Sequence, residues 1–199
     1  MKPGLFPVIL TLVVVGWASV MSGSHPDPVR VGVDTTAGEI LIEVDPAVAP
    51  ITVANFLKYV DAGSYDGGSF FRTVHMQNQP ADSIRIEVIQ GGANRERTDG
   101  RFDPIPLERT NATGLRHLDG TVSMARGGPD TARDSFFICI GDQPSLDYGG
   151  MRNPDGQGFA AFGQVISGMD VVRAIQGMPA DGQTLTEPVV IRSVRRVEP

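Results

Sequence analysis

The chain has 199 residues, which is enough for a short leader and one domain with a sizeable core, but not comfortably for two domains. Acidic side chains outnumber basic ones by 23 to 17, the formal net charge is −6, and no basic run is longer than Arg195-Arg196, which argues against a nucleic-acid partner. The 24 glycines and 15 prolines are spread between short apolar runs, a composition typical of strands and turns.

An N-terminal leader is the first predicted element. Lys2 precedes an uncharged stretch whose apolar centre runs from Leu5 to Val20, and small residues follow around Ser22-Gly23-Ser24. This order is typical of a secretory signal peptide, so we expect an exported protein, periplasmic or extracellular. An uncleaved membrane anchor is the alternative, because the apolar run approaches the roughly 17 to 25 residues that span a bilayer. The predicted organisation is a leader or anchor over residues 1–24, a short linker over 25–29 and one globular domain over 30–199.

Two strands joined by a tight turn are predicted at the start of the domain. Val31 and Val33 alternate with polar or small neighbours, and the alternation resumes at Ile40 and Ile42 after the turn Ala37-Gly38. A period of two places one face of each strand against a core. This segment therefore predicts a β-hairpin.

Two helices are predicted where the period changes. The first opens near Pro50 and stops at Gly63, as helices that begin with proline and end with glycine do. Its apolar residues fall three apart, and we expect this stripe to face the core, along Ile51, Ala54, Leu57 and Val60. A second helix is predicted between Met169 and Gly177.

Six further strand-like runs complete the predicted sheet, at residues 69–74, 84–90, 121–125, 136–140, 161–166 and 189–197. Eight strands can close into a barrel, which removes exposed sheet edges, although periodicity alone does not separate a barrel from a sandwich. We expect a mainly β fold, a closed eight-stranded antiparallel β-barrel capped by two helices. Two long irregular stretches, 91–120 and 143–158, are candidates for functional loops.

Four short segments carry the candidate chemistry: Ser69-Phe70-Phe71-Arg72, Val88 to Gly92, Ser123 to Arg126, and Ser135 to Ile138. They place a permanent cation, Arg72, and a neutral amide, Gln90, on apolar strands, which suits a polar but uncharged substrate such as a peptide bond. In this order they resemble the cyclophilin family of peptidyl-prolyl cis-trans isomerases, over most of the chain. The resemblance implies the cyclophilin barrel, isomerisation of Xaa-Pro bonds, and no need for a cofactor or a metal.

The physical requirement of that reaction points to Arg72. Rotation about an Xaa-Pro bond crosses roughly 18 to 20 kcal/mol because the C–N bond has partial double-bond character. A donor to the prolyl nitrogen localises the lone pair of that nitrogen and lowers the barrier. A charge-assisted hydrogen bond of about 1.5 to 3 kcal/mol, made only in the transition state, corresponds to about tenfold to a hundredfold in rate. The alternative for Arg72 is an exposed ion pair on a strand.

The resemblance also implies the roles of the other site residues. Arg72, Gln90 and Phe137 correspond to the catalytic set, in which the arginine polarises the proline amide and the glutamine holds the substrate backbone. Phe136 and Phe137 must face opposite ways on a strand, so only one of them lines the groove. The implied substrate-binding residues are Val88, Ala125, Arg126, Ser135, Leu146 and Phe159.

The chain departs from the family pattern at several of these places. Glu87 stands where a phenylalanine is usual, Ser135 replaces a glutamine, Ser145 a tryptophan, and Phe159 the pocket histidine. Without the tryptophan we do not expect cyclosporin-type inhibition, whereas phenylalanine keeps an apolar wall. Glu87 either pairs with Arg72 or points away because an insertion shifts its strand. Insertions are inferred at about 73–86 and 151–157, and bacterial-looking cyclophilins share the longer spacing between the arginine and the glutamine.

Two functions of different class follow. The first is an exported, monomeric isomerase that acts on proline-containing polypeptides and assists their folding. The alternative is a module that binds proline-containing segments with little or no catalysis, which the departures at Glu87, Ser135 and Ser145 favour. A hydrolase is disfavoured, because the motifs Gly-x-Ser-x-Gly and His-Glu-x-x-His are absent. Cys139 is expected to be a small buried hydrophobe, and membrane attachment is expected only through the N-terminal segment.

Overall fold

The computed structural model describes residues 26–79, 81, 83–96 and 102–197. The leader or anchor predicted over residues 1–24 lies outside these residues. Within the described ranges, no helix combines the length and the apolar character needed to cross a bilayer.

The described chain contains nine strands and three α-helices, and most of the strands follow one another in pairs. The strands are β1 (Val29–Thr35), β2 (Gly38–Val44), β3 (Ser69–Val74), β4 (Val88–Gly92), β5 (Thr121–Met124), β6 (Phe136–Cys139), β7 (Ala160–Ser167), β8 (Ala180–Asp181) and β9 (Thr184–Val197). The helices are α1 (Pro50–Asp61), α2 (Thr110–Thr113) and α3 (Met169–Gln176), and a short 3-10 helix covers Pro144–Leu146.

Eight of the strands close into an antiparallel barrel. Their order is β1-β2-β7-β5-β6-β4-β3-β9, and β9 pairs back onto β1. The remaining strand, β8, pairs with the first residues of β9. This order confirms the predicted fold class, a closed eight-stranded antiparallel barrel. Closure leaves no long unpaired edge among these eight strands.

Two short elements and two strand starts differ from the prediction. The strand predicted over 189–197 already begins at Thr184. The prediction of two helices missed α2, and the prediction of eight strands missed β8, because elements of four and two residues are too short to show a period. The strand predicted over 84–90 begins only at Val88. The side chain of Gln79 explains the late start, since it bonds both the N–H and the carbonyl of Ile86 and so replaces a strand partner there.

Helix α1 plugs the barrel with a face that matches only half of the predicted stripe. Its bounds agree with the prediction, with proline in the first turn, but Ile51 is 43% exposed and Ala54 is also exposed. The buried face starts at Val53 and continues with Phe56, Leu57 and Val60, a spacing of three, four and seven residues. The buried stripe therefore keeps Leu57 and Val60 of the expected one, but Val53 and Phe56 take the place of Ile51 and Ala54.

A β-bulge in β3 turns the strand toward the outside of the barrel. The pairing of β3 with β4 shifts register between Phe70 and Arg72, so Phe71 is an extra residue opposite β4. The pairing with β9 shifts at the same place, but there the additional residues lie on β9, between Thr184 and Val189. Phe70 is fully buried and contacts Phe136 in the barrel core with ring centroids 5.7 Å apart. Without the bulge Arg72 would face the same core, since residues two apart share a face. The bulge places it on the outer surface instead.

Candidate active site

A cavity of about 360 Å³ lies on the outer face of the barrel, over β3, β4 and β6. Its floor is a cluster of apolar side chains that is separate from the barrel core: Val74, Ile86, Val88, Phe137, Cys139 and Leu146, all buried, with Ala125 and Phe159 packed against them. The cavity is lined by Arg72, Ile86, Val88, Gln90, Ala125, Arg126, Phe137, Leu146, Arg152, Asn153 and Phe159. It therefore combines an apolar floor with guanidinium and amide groups at the rim.

The guanidinium of Arg72 is held by two amide oxygens. Its Nη1 donates to Oε1 of Gln90 at 2.8 Å, and its Nε and Nη2 donate to Oε1 of Gln183 at 3.0 and 2.6 Å. Both acceptors are uncharged, so these bonds fix the plane of the guanidinium without cancelling its charge.

Gln90 is oriented in turn by Ser135. The Nε2 group of Gln90 donates to Oγ of Ser135 at 3.0 Å, and this hydroxyl donates to the carbonyl of Gly91 at 2.9 Å. Ser135 is not among the residues that line the cavity, although the sequence analysis placed it in the substrate-binding set. Its position explains how a serine can replace a longer side chain here, since it supports Gln90 from behind.

Phe137 forms the centre of the cavity floor, and two rings hold it in place. Phe159 meets it edge to face with ring centroids 5.4 Å apart, and the ring of His117 stacks on it at 5.9 Å. Strand alternation puts Phe136 on the opposite side, in the barrel core. Of the two adjacent phenylalanines only Phe137 lines the cavity.

His117 belongs to a buried polar row behind Phe137. Its Nδ1 lies 2.7 Å from Oδ1 of Asp147, and its Nε2 lies 2.9 Å from Oγ of Ser123. Partial burial alone would raise the pKa of Asp147, but the hydrogen bonds from the ring and the backbone N–H of His117 hold that pKa below its ordinary value. Ser123 is completely buried, so its hydroxyl does not reach the cavity. The row supports Phe137 and does not expose a nucleophile.

The side chain of Arg126 is committed to the loop that follows the 3-10 helix. Its Nη1 and Nη2 donate to both carboxylate oxygens of Asp155 at 2.7 and 2.9 Å, and its Nε donates to the carbonyl of Gly158 at 2.8 Å. The guanidinium carbon also lies 5.0 Å from the centre of the Phe159 ring. These hydrogen bonds hold the pKa of Asp155 at about 2. The loop and Phe159 are thereby tied to the cavity wall.

The two inferred insertions meet at the cavity rim. Nη1 of Arg152 donates to the carbonyl of Ile84 at 2.6 Å, and Ile86 is only 5% exposed at the floor. The sequence analysis missed Ile86, Arg152 and Asn153 as lining residues, because insertions have no counterpart in the family pattern. The apolar spacing of two between Ile86 and Val88 was the one local signal for the first of them.

Two departures remain, at Glu87 and Ser145. Glu87 directly precedes β4, and its Oε1 lies 3.4 Å from Nε2 of Gln176 in α3. Of the two interpretations of Glu87, the structure supports the one in which the side chain points away from Arg72. The carbonyl of Ser145 accepts from the N–H of Arg152 at 3.1 Å, a contact that any residue could make, and nothing in the structure explains the exchange of its side chain.

The described part of the chain offers no metal centre or reactive thiol at this cavity. No group of three or more His, Cys, Asp or Glu residues is arranged there to hold a metal ion. Cys139 is fully buried, which confirms the expectation of a small buried hydrophobe, and burial raises the pKa of its thiol far above the ordinary value. The arrangement can bind an apolar ring and present a hydrogen-bond donor that carries positive charge.

Comparison with known proteins identifies a family whose pattern covers most of the chain. The family model described as cyclophilin type peptidyl-prolyl cis-trans isomerase/CLD matches residues 30–196. A peptidyl-prolyl cis-trans isomerase of Streptomyces antibioticus is 36% identical over 171 residues, which cover 83% of this chain and 96% of that protein. Peptidyl-prolyl cis-trans isomerase B of Escherichia coli (strain K12) is 32% identical over 166 residues, which cover 80% of this chain and 94% of that protein.

A solved structure supports the same fold. The crystal structure of a Cryptosporidium parvum cyclophilin type peptidyl-prolyl cis-trans isomerase superposes with a TM-score of 0.67 at 20% sequence identity. The match covers 87% of this chain and 99% of that protein. A second crystal structure of that protein was determined in the presence of the dipeptide Ala-Pro, with a TM-score of 0.65.

Proposed function

The chain belongs to the family of cyclophilin-type peptidyl-prolyl cis-trans isomerases, and from that premise we propose how it isomerises Xaa-Pro bonds and where it does so. The protein is an isomerase with the cyclophilin barrel. The residues that act in it, the form of the substrate and the compartment are the parts proposed here.

One observation carries the proposed mechanism: the Arg72 guanidinium lies at the edge of an apolar floor, where two amide oxygens fix its plane. The floor formed by Val88, Phe137 and Leu146 suits the three methylene groups of a proline ring, and Phe159 closes one side. A proline-containing segment bound there presents its tertiary amide to Arg72. A cavity of about 360 Å³ has room for a proline and its flanking amides.

In the proposed reaction no covalent bond forms or breaks. As the C–N bond twists, amide resonance is lost and the lone pair of the prolyl nitrogen becomes localised, so an N–H group of Arg72 can donate to it. This bond is strong only in the twisted state, so it lowers the barrier instead of merely tightening binding. Gln90 has two roles in this scheme, since it orients Arg72 and lies where the backbone of the substrate passes.

We further propose that the protein works outside the cytoplasm, on proline-containing segments of exported proteins. The support is the leader pattern over residues 1–24, a lysine followed by an apolar stretch and small residues. Mass spectrometry of the protein recovered from fractionated cells tests the proposal. We expect it in the exported fraction, and a full-length protein confined to the cytoplasm would contradict export.

The enzymatic proposal is tested by exchange spectroscopy on a short Ala-Pro peptide. We expect wild type to accelerate cis-trans exchange, and Arg72→Ala to lower kcat/KM by about tenfold to a hundredfold, because one charge-assisted bond is lost in the transition state. Arg192→Ala is a matched control, since this exposed arginine pairs with Asp34 on β1. Equal rates for wild type and Arg72→Ala would remove Arg72 from the mechanism, and peptide binding without any acceleration would favour a binding module.

A further inference from the structure

The turn between β8 and β9 reaches the same guanidinium that the proposed mechanism uses. Gln183 lies in the two-residue connection of this hairpin, after Gly182, whose φ of 57° favours glycine. Its Oε1 accepts from both Nε and Nη2 of Arg72, at 3.0 and 2.6 Å. Gln90 binds the guanidinium through Nη1, so the two glutamines hold different edges of one plane.

Gln183 is not among the residues that line the cavity, whereas Arg72, to which its side chain is bonded, is one of them. The backbone reinforces the contact, because the carbonyl of Gln183 accepts from the N–H of Thr73, the residue after Arg72, at 2.9 Å. Arg72 itself is opposite Thr184 in the pairing of β3 with β9. The turn therefore contacts Arg72 through the side chain of Gln183 and contacts the next residue, Thr73, through its main chain.

The first insertion fixes this turn in place. Nδ2 of Asn78 donates to the carbonyl of Gly182 and to the carbonyl of Thr73, both at 3.0 Å. Its Oδ1 accepts from the N–H of His75 at 2.9 Å, which closes the turn that begins the insertion. One amide thus joins the insertion, the end of β3 and the hairpin that carries Gln183.

We propose that Gln183 is a positioning residue of the isomerase, which fixes the Arg72 guanidinium, and that Asn78 fixes Gln183. This inference rests on the proposed role of Arg72. A neutral amide oxygen is the appropriate acceptor because it orients two N–H groups and leaves the positive charge for the amide nitrogen of the substrate. A carboxylate at the same place would orient them equally well but would oppose the charge.

Three substitutions at residue 183 and one control separate orientation from charge. Gln183→Met keeps the side-chain length and removes the acceptor, and we expect kcat/KM to fall on the order of tenfold, within the hundredfold that a misplacement of about 1 Å can produce. Gln183→Ala should give a similar fall. Gln183→Glu should restore the orientation and still lower kcat. Thr186→Ala, on an exposed position of the same hairpin, should match wild type.

The split between kcat and KM distinguishes a positioning role from a merely structural one. We expect kcat to fall in the three Gln183 variants while KM for the Ala-Pro peptide stays within about twofold, because Gln183 does not touch the substrate. Thermal unfolding checks that each variant is folded. A variant of Gln183 that is folded and as active as Thr186→Ala would overturn the inference.

A double-mutant cycle separates the failure of this inference from the failure of the proposed function. If Gln183 acts through Arg72, Gln183→Met should have no further effect in the Arg72→Ala background. An equal loss in both backgrounds would overturn the positioning role. An unchanged rate in Arg72→Ala alone would instead overturn the mechanism on which the inference rests. Side-chain ¹⁵N spectra give a direct readout, since Nε–H of Arg72 should exchange faster with water in Gln183→Met than in wild type.

Discussion

Two arginines on the wall of one cavity are held in opposite ways. Arg72 donates three hydrogen bonds to the amide oxygens of Gln90 and Gln183, whereas Arg126 donates to both oxygens of the Asp155 carboxylate and to a backbone carbonyl. Both side chains are fixed, but the carboxylate also opposes the charge that it fixes. The acceptors named here thus differ in charge, since those of Arg72 are amide oxygens and those of Arg126 include a carboxylate.

The contrast is tested most directly by changing one amide acceptor of Arg72 into a carboxylate. In Gln90→Glu the side chain keeps its shape but becomes a carboxylate next to Nη1 of Arg72. We expect kcat/KM to fall by about tenfold to a hundredfold, since the charge presented to the prolyl nitrogen is partly cancelled. Gln164→Glu adds the same charge at an exposed position of β7 and is the control for net charge. If both variants keep the activity of wild type, the charge of Arg72 is not used.

Removal of the Arg126 side chain should have a smaller effect on catalysis, and mainly on KM. We expect Arg126→Ala to raise KM by several-fold to about tenfold and to change kcat less, because it loosens the loop and Phe159 without removing a donor to the substrate amide. Arg195→Ala provides a matched control, since it also removes a bidentate partner of a carboxylate, Asp66, far from the cavity. Steady-state kinetics on the Ala-Pro peptide measures both. A fall confined to kcat would place Arg126 with Arg72 in the chemistry.

The smallest effect concerns pH and sharpens the contrast. Hydrogen bonds from Arg126 lower the pKa of Asp155 from 3.8 to about 2. The stabilising contribution of this carboxylate is therefore complete above its ordinary pKa and is lost only as the pH falls through about 2. Carbonyl ¹³C titration of Asp155 should show that midpoint, and KM should not change between pH 7 and pH 5 on its account. A midpoint near 3.8 would mean that the loop contact does not persist in solution.

The sequence predicted the barrel and much of the cavity, for reasons that particular residues illustrate. Strand alternation placed Phe136 and Phe137 on opposite faces, and the proline and glycine at the ends of α1 marked its bounds. The face of α1 was predicted correctly at Leu57 and Val60 but wrongly in its first two turns, because Ile51 and Val53 are both apolar and only tertiary packing decides between them.

Other features of the site depend on contacts between residues far apart in the chain. Gln183 is 111 residues from Arg72, and Asp155 is 29 residues from Arg126, so no local pattern relates them. The bulge at Phe71, which turns Arg72 outward, depends on the pairing of β3 with β4, and the irregularity opposite it in β9 depends on a strand more than 100 residues further along the chain. Secondary-structure propensity carries no information on contacts between such distant residues. The hydrogen-bond partners that orient Arg72 could therefore not be predicted in full from the sequence.

The most direct test of the account compares binding with turnover in Arg72→Ala. The account requires Arg72 to act on the twisted amide and not on the bound ground state. We therefore expect the Kd for an Ala-Pro peptide, measured by NMR titration, to change by less than about threefold, while kcat falls by about tenfold to a hundredfold. A rise in Kd that accounts for the whole loss of kcat/KM, with kcat unchanged, would contradict it.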